Sequence, residues 1–120
     1  MARILVVDDS VTLRHMVAHV LRKDGHEIVE AACAEDALTQ LPDFVPELVL
    51  TDMYMPGLDG ICLAEHLRAM PGYRSIPILV LSTDSSPDVK QRGRGSGVTG
   101  WISKPFDPVM LQGIVQKVLH

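Results

Sequence analysis

The chain has 120 residues, of which 47% are hydrophobic and 22% charged, and its formal net charge is −4. A chain of this length and apolar content is expected to form one domain with a buried core, and intrinsic disorder is excluded. The apolar runs are too short to cross a membrane. Residues 1–60 hold 11 acidic and four basic residues, whereas residues 61–120 hold four acidic and seven basic ones. A nucleic-acid-binding domain is normally basic overall, so direct binding of nucleic acid is not expected.

Five short runs predict β-strands, and helical patterns alternate with them along the chain. The predicted strands are residues 3–7, 27–31, 48–51, 78–81 and 100–103. Three of them are nearly continuous Ile, Leu and Val, which is typical of strands that are covered on both faces in a parallel sheet.

The first and the last helix have the clearest patterns. The apolar residues of the first helix recur on one face and are Leu13, Met16, Val17, Val20 and Leu21. Gly25 then signals the end of this helix. Asp107 is the expected N-cap of the last helix, with Pro108 in its first turn. The apolar face of the last helix consists of Leu111, Ile114, Val115, Val118 and Leu119.

The three middle helices are shorter. Residues 35–41 and 59–70 predict amphipathic helices, the second of them capped by Asp59. Residues 87–96 predict a short or frayed helix, because each interior glycine, such as Gly93, costs about 1 kcal/mol of helix stability relative to alanine. Strand and helix alternating in this order predict one domain of five β/α units with a parallel sheet and right-handed crossovers.

Polar side chains follow the predicted strands at the edge of the sheet where ligands of open α/β folds bind. The residues at these strand ends are Asp8 and Asp9 after the first strand, Asp52 after the third, Ser82 and Thr83 after the fourth, and Lys104 after the fifth. Three carboxylates, hydroxyl groups and an ammonium group are therefore expected to converge, which is a much more specific signal than any one of them.

Such a cluster of acids requires a cation or raised pKa values. Two carboxylates about 5 Å apart repel each other by roughly 3 kcal/mol at an effective dielectric constant near 20. A small set of oxygen ligands suits Mg²⁺, which keeps several of its waters. A phosphoryl group on Asp52 would be neutralised by the metal, Lys104 and Ser82 together, so the residues predict phosphoryl transfer to a carboxylate nucleophile.

Four motifs spread over essentially the whole chain resemble the receiver domains of two-component response regulators. These motifs are Val7-Asp8-Asp9-Ser10, the segment from Asp52 to Gly60, Leu81-Ser82-Thr83 and Lys104-Pro105-Phe106. The segment from Asp8 to Arg14 and the lack of an output domain resemble the single-domain, chemotaxis-type members. The resemblance implies a flavodoxin-like fold, a doubly wound (βα)5 sandwich with strand order 2-1-3-4-5, and one receiver domain over residues 1–120.

The resemblance also implies a role for each residue of the acidic edge. Asp52 would be the phosphoacceptor and Lys104 would contact the phosphoryl oxygens. Mg²⁺ would be held by Asp9, Asp52 and the backbone carbonyl of Tyr54, with Asp8 orienting a metal-bound water. The backbone of Met53 and Thr83 would contact the phosphoryl group as well.

A switch is implied by two further residues. Ser82 would move to the phosphoryl group after transfer, and Trp101 would follow it inward. This movement would remodel the surface formed by the fourth helix, the fifth strand and the fifth helix. The Lys104–Pro105 bond would be cis, which proline permits.

The phosphodonor implied by the resemblance is a sensor histidine kinase or a histidine phosphotransfer protein. A target protein would bind the remodelled surface within residues 90–116. Three roles stay open: switching a flagellar protein in chemotaxis, passing the phosphoryl group along a relay, and draining phosphate from a kinase. We expect a monomer with no membrane insertion, whose chemistry is limited to its own phosphorylation and dephosphorylation.

Three other functions compete with this interpretation. A phosphatase of the haloacid dehalogenase type needs a general acid two residues after the nucleophile, where this chain has Tyr54. A flavin-binding module needs a phosphate-binding loop after the first strand, and the acids there would repel the phosphate of the cofactor. A pseudo-receiver would lack part of the set that is complete here, namely Asp8, Asp9, Asp52, Ser82 and Lys104.

Tyr54 and Asp84 lie two residues after Asp52 and Ser82 and flank the expected path of hydrolytic water. We expect the Tyr54 ring to slow hydrolysis of the phosphorylated protein by steric cover. Trp101 is larger than the Tyr or Phe more usual at this switch position.

Other polar residues have less specific interpretations. Lys90, Arg92 and Arg94 form either a solvated helix face or a docking patch for an acidic partner. His15 and His19 are four residues apart without a third ligand nearby, so we expect solvated side chains.

The cysteines and the N-terminus indicate the compartment. Cys33 and Cys62 lie far apart and outside any metal-ligand spacing, which predicts reduced thiols. The first residues run directly into a strand and do not resemble a signal peptide. We therefore expect a cytoplasmic protein.

Overall fold

The computed structural model describes residues 2–41, 44–84 and 86–119, and in this part of the chain five strands alternate with five helices. The elements are β1 (Arg3–Val7), α1 (Val11–Lys23), β2 (Glu27–Ala31), α2 (Ala34–Gln40), β3 (Leu48–Asp52), α3 (Gly60–Arg68), β4 (Ile78–Ser82), α4 (Pro87–Gly95), β5 (Gly100–Ser103) and α5 (Pro108–Leu119). All strand pairs are parallel, in the order β2-β1-β3-β4-β5. The predicted fold class and strand order are confirmed.

Two strands extend one residue beyond the prediction, and in each case the added residue is a candidate site residue. Asp52 pairs with Leu81 across β3 and β4, and Ser82 pairs with Ser103 across β4 and β5. A pattern of apolar residues ends before these polar side chains, but the backbone ladder continues through them. Both residues are therefore held by the sheet itself.

Two apolar cores cover the two faces of the sheet. The core under α1 and α5 includes Ile4, Val6, Val17, Ala18, Leu21, Ile102, Leu111 and Val115. The core under α2 and α3 includes Leu5, Val7, Ala34, Ala37, Val49, Ile61, Leu63 and Val80. Successive residues of β1 enter opposite cores, which explains why its sequence is continuously apolar.

The predicted apolar stripe on α1 is only partly buried in the core, where Val17 and Leu21 lie. Met16 is 37% exposed, whereas Ala18, outside the predicted stripe, is fully buried. The small side chain of Ala18 lies in the α1–sheet contact, and a pattern based on large apolar residues passes over it. Met16 instead lines a surface groove with Leu13 and Phe106.

The predicted helix ends depend on specific local hydrogen bonds. After α1, the Gly25 N–H donates to the Arg22 carbonyl and the His26 N–H to the Leu21 carbonyl, with Gly25 at φ +88°. This left-handed position favours glycine and confirms the predicted stop. At α5, the Asp107 carboxylate accepts the Val109 N–H at 2.7 Å, as expected for an N-cap.

α4 is a short helix of which only Gly93 is buried. A Cβ atom on Gly93 would lie 3.0 Å from Cζ3 of Trp101, so glycine lets the helix pack closely on the indole ring. None of the helices in the described ranges is long and apolar enough to span a lipid bilayer.

Candidate functional site

Three carboxylates converge at the carboxyl edge of the sheet, as the sequence predicts. Asp8 and Asp9 follow β1, Asp52 ends β3, and the two strands are neighbours. One oxygen from each of the three carboxylates lies within 4.8 Å of the others. Asp8 is buried, Asp52 half-buried and Asp9 exposed, so the cluster opens to solvent on one side.

Asp8 is the most confined of the three acids. Burial raises the pKa of its carboxyl group, and the neighbouring charges of Asp52 and Asp9 raise this pKa further. The Ser10 N–H, which donates to Asp8 Oδ1 at 2.9 Å, and the Lys104 ammonium group lower the same pKa. Because burial is the largest of these effects, ionised Asp8 is destabilised in the metal-free protein.

Lys104 supplies the positive charge of the site. Its Nζ donates to Asp52 Oδ1 at 2.7 Å and lies 3.8 Å from Asp8 Oδ2. The Lys104–Pro105 peptide bond is cis, as the resemblance implies. The Lys104 N–H donates to the Ser82 carbonyl at 2.9 Å, which fixes the segment after β5 to the end of β4.

The loop between β3 and α3 packs directly against Asp52. The Gly60 N–H donates to the Met53 carbonyl at 2.8 Å, and a Cβ atom on Gly60 would lie 2.4 Å from the Asp52 carbonyl oxygen. Only glycine therefore fits at the first position of α3. The Asp59 carboxylate accepts the Cys62 N–H at 2.8 Å, which confirms that Asp59 is a helix cap.

The other predicted site residues surround this cluster without all contacting it. Ser82 is buried, and its Oγ accepts the Asp84 N–H at 3.0 Å. Thr83 is exposed. Met53 is buried, and its N–H donates to the Leu81 carbonyl at 3.2 Å. The structure thus brings the three acids and Lys104 together, while the Ser82 hydroxyl is engaged with the loop that follows β4.

Asp84 joins the residues around the site in a way that the sequence does not predict. The Tyr54 hydroxyl donates to Asp84 Oδ2 at 2.6 Å, and Trp101 Nε1 donates to the Asp84 carbonyl at 3.1 Å. The hydrogen bond from Tyr54 lowers the pKa of Asp84 and raises the pKa of the tyrosine itself. Sequence spacing singles out both positions, but it carries no signal for a side-chain contact between two loops.

The three basic residues of α4 do not share the same surroundings. Arg92 forms an ion pair with Asp59 at 3.0 Å and so links α4 to the cap of α3. Lys90 and Arg94 instead line a cavity of about 180 Å³ with Trp101. Arg92 is nevertheless about half exposed, so the structure does not decide between a solvated face and a docking patch.

The predicted histidine pair shows no metal-binding arrangement. His15 and His19 are both exposed, and His15 Nε2 lies 3.5 Å from Glu30. Within residues 2–41, 44–84 and 86–119, the one group of three or more residues that could hold a metal ion is the acidic cluster.

An apolar groove of about 440 Å³ lies beside the acidic cluster. It is lined by Leu13, Met16, Thr83, Lys104, Pro105 and Phe106. Lys104 belongs both to this groove and to the site.

The oxygen donors present fit Mg²⁺. The group consists only of carboxylates, and their spacing of no more than 4.8 Å lets them share one small cation. The repulsion among them and the buried position of Asp8 both favour a bound cation.

Comparison with known proteins gives a consistent result. Residues 4–116 match the response regulator receiver domain family. The phosphate regulon transcriptional regulatory protein PhoB of Escherichia coli is 36% identical over 98% of this chain, but the match covers 52% of PhoB. The chain thus spans about half the length of this relative. Protein PilH of Pseudomonas aeruginosa is 32% identical, with 99% of this chain and 98% of PilH covered.

Solved structures agree with these matches. The chemotaxis protein CheY4 of Vibrio cholerae superposes with a TM-score of 0.95 at 38% identity, and 98% of each chain is covered. A putative response regulator from Chloroflexus aurantiacus superposes with a TM-score of 0.91 at 34% identity, covering 98% of this chain and 97% of the other.

Proposed function

The chain belongs to the receiver-domain family of response regulators, and on this premise we propose that it is a phosphorylation-controlled switch whose Asp52 accepts the phosphoryl group. Family membership makes it a receiver and not a classical enzyme, which argues against the phosphatase and the flavin-binding module. The observation that carries the proposal is the convergence of Asp8, Asp9 and Asp52 with Lys104 bound to Asp52 at 2.7 Å.

The proposed reaction transfers a phosphoryl group from a phosphohistidine. A carboxylate oxygen of Asp52 attacks phosphorus, a P–O bond forms, and the P–N bond to the imidazole breaks with its electron pair going to the nitrogen. Lys104 holds Oδ1 of Asp52, which leaves Oδ2 as the attacking atom. The ammonium group then lies beside the new acyl phosphate and offsets its negative charge.

Mg²⁺ would be held by Asp9, Asp52 and the Tyr54 carbonyl, with Asp8 orienting a metal-bound water. When bound, the ion supplies positive charge at the phosphoryl oxygens. Asp8, whose carboxyl group is buried and has a raised pKa, is kept ionised by such a cation.

The phosphoryl group would also contact Ser82 and the backbone of Met53 and Thr83. The contacts of Met53 and Ser82 require a rearrangement, because the Met53 N–H is bonded to the Leu81 carbonyl and the Ser82 hydroxyl accepts from the Asp84 N–H. We therefore place these contacts after phosphoryl transfer.

Switching follows from the position of Asp84 between Ser82 and Trp101. The Asp84 N–H donates to Ser82, and the Asp84 carbonyl accepts from the indole of Trp101. Movement of the Ser82 hydroxyl to the phosphoryl group gives up the first bond and weakens the hold on the indole. Trp101 packs against Gly93 of α4, so its movement would be felt at the α4–β5–α5 face.

The partners that we propose are a phosphodonor and a target protein. A sensor histidine kinase or a histidine phosphotransfer protein would dock in the apolar groove beside Lys104, because Lys104 lines this groove and bonds to Asp52. A phosphorylation-dependent target would bind the α4–β5–α5 face. A role in chemotaxis is supported by the similarity to CheY4, and a relay shuttle or phosphate sink is the alternative. The two free cysteines support a cytoplasmic location.

The experiment is phosphorylation by a small acyl phosphate. Acetyl phosphate with Mg²⁺ should increase the intact mass of the wild-type protein by one phosphoryl group. Asp52→Asn should gain no mass, whereas Asp88→Asn, which removes an exposed carboxylate from α4, should react like the wild type. An unreactive wild-type protein, or a reactive Asp52→Asn variant, would refute the assignment of Asp52.

A further inference from the structure

Arg14, in the first turns of α1, contacts the backbone of the acidic site. Its side chain is only 13% exposed. Nη1 donates to the Asp8 carbonyl oxygen at 2.8 Å, and Nε donates to Glu30 Oε1 at 3.2 Å. One guanidinium group thus joins the end of β1 to the middle of β2.

The Asp8 carbonyl is a special acceptor because it belongs to the peptide group that links Asp8 to Asp9. The orientation of this peptide plane sets the directions in which both carboxylates leave the backbone. β1 ends at Val7, so the peptide group between Asp8 and Asp9 lies outside the hydrogen-bond ladder of the sheet. The Asp8 N–H still donates to the Ala31 carbonyl at 3.1 Å, but its carbonyl depends on Arg14.

Glu30 anchors the guanidinium group from the opposite side. Its carboxylate is 20% exposed and also accepts from Arg22 Nη1 at 3.3 Å, while His15 Nε2 lies 3.5 Å away. Arg22 Nη2 donates a second hydrogen bond to the Ile28 carbonyl at 3.2 Å, and this bond does not involve the acidic site. Arg14 and Arg22 therefore share the same carboxylate partner, but of the two only Arg14 bonds to Asp8.

We propose that Arg14 is a positioning residue for the cation site, holding the Asp8–Asp9 peptide group so that both carboxylates face one ion. The inference rests on the proposed function, because it presumes that the acids bind Mg²⁺. Groups that orient metal ligands typically change metal affinity 10- to 100-fold when they are removed.

The direction in which Arg14→Met changes the Mg²⁺ affinity distinguishes a positioning role of Arg14 from a purely electrostatic one. Arg14 carries a positive charge close to a cation site, so a purely electrostatic role predicts that Arg14→Met binds Mg²⁺ more tightly than the wild type. Positioning predicts weaker binding, because the peptide group loses its hydrogen-bond donor.

The test compares Arg14→Met with Arg22→Met. Mg²⁺ is titrated into each ¹⁵N-labelled protein and the amide shifts are followed by NMR, which reports both the dissociation constant and the integrity of the fold. We expect the dissociation constant of Arg14→Met to rise by about tenfold. Arg22→Met, which loses the same charge and the same partner Glu30, should stay within about twofold of the wild type.

Several results would overturn the inference. Unchanged or tighter Mg²⁺ binding by Arg14→Met refutes it, and so does equal weakening in Arg22→Met, which would indicate a general loss of stability. If the spectrum of Arg14→Met is that of an unfolded chain, Arg14→Gln, which also removes the guanidinium group, is used, and unchanged affinity in that variant also refutes the inference. A wild-type protein without any Mg²⁺-dependent shift would instead refute the proposed function.

Discussion

Lys104 and Asp8 are the residues whose environment most shapes the acidic site. Lys104 pairs with Asp52 at 2.7 Å and lies 3.8 Å from Asp8, so a single ammonium group faces two of the three acids. Burial and the charges of Asp52 and Asp9 raise the pKa of the Asp8 carboxyl group. In the absence of a cation, Asp8 is thus a source of instability that the metal-bound protein would not have.

Replacing Asp8 should stabilise the metal-free protein at neutral pH. The pKa of Asp8 is raised in the folded state, so the proton binds more tightly to the folded than to the unfolded chain. The cost of ionising Asp8 therefore grows as the pH rises through its raised pKa, and it is absent below the ordinary value of 3.8. We expect Asp8→Asn to be more stable than the wild type by roughly 1 kcal/mol at pH 7 in urea unfolding without divalent ions.

Two further measurements check the cause of this difference. The advantage of Asp8→Asn should shrink as the pH is lowered toward 4, and Mg²⁺ should reverse it by stabilising the wild type through binding. A variant that is less stable than the wild type at pH 7 without Mg²⁺ would contradict the account.

Tyr54 offers a second test at the residue scale. Its ring is tied to Asp84 by the 2.6 Å hydrogen bond and stands two residues after Asp52. We expect Tyr54→Asn to lose phosphoryl group several-fold faster than the wild type, as measured by the decay of the phosphorylated mass after acetyl phosphate is removed. Tyr54→Phe keeps the ring and loses the hydrogen bond, so its decay rate shows which of the two slows water. Unchanged decay in Tyr54→Asn would refute steric cover.

At the scale of elements, the loop that joins β3 to α3 is built around a close backbone contact. Gly60 begins α3 directly over the Asp52 carbonyl, where a Cβ atom would lie 2.4 Å from the oxygen. The position of Asp52 therefore depends on the start of a helix that the sequence marks only by the Asp59 cap.

Two glycine-to-alanine substitutions distinguish the effect of this close contact on stability from the effect of helix propensity. Gly60→Ala should destabilise the protein by about 1–3 kcal/mol, because the added methyl group has no space next to the backbone. Gly113→Ala, in the middle of α5 with no atom within 4 Å of the new Cβ, should stabilise it by up to about 1 kcal/mol. Thermal or urea unfolding measures both, and equal effects of the two substitutions would contradict the proposed packing at Gly60.

The order of the elements and the convergence of the acids were predictable because parallel strands end at one edge of the sheet. Reading the residues that follow each predicted strand was enough to find Asp52 and Lys104. The exposure of Met16 was not predictable in the same way, because periodicity counts large apolar side chains and the small Ala18 makes the contact with the sheet.

The contacts that cross between loops left no pattern in the sequence. The bond between Tyr54 and Asp84 joins residues 30 positions apart, and the bond from Arg14 to the Asp8 carbonyl is made to the backbone. Asp8 and Arg14 lie in one motif, but the motif does not indicate this hydrogen bond, and each of the two contacts is visible only once the fold has placed the side chains. The ion pair of Arg92 with Asp59 is of the same kind.

At the scale of the whole molecule, the acidic site and α4 are joined by a short series of contacts. Asp84 bonds to Tyr54, Ser82 and Trp101, and Trp101 packs against Gly93 of α4. A change at Asp52 that draws Ser82 away from Asp84 therefore has a route to the surface that a partner would bind. Trp101, the one tryptophan of the chain, lies on this route.

The central claim is that a phosphoryl group on Asp52 changes the environment of Trp101. The most direct measurement adds Mg²⁺ and then beryllofluoride, which stands in for the phosphoryl group, and follows the fluorescence of Trp101. The account predicts a change in the wild-type protein on adding beryllofluoride and none in Asp52→Asn. An unresponsive wild-type protein, or the same response in Asp52→Asn, would contradict it.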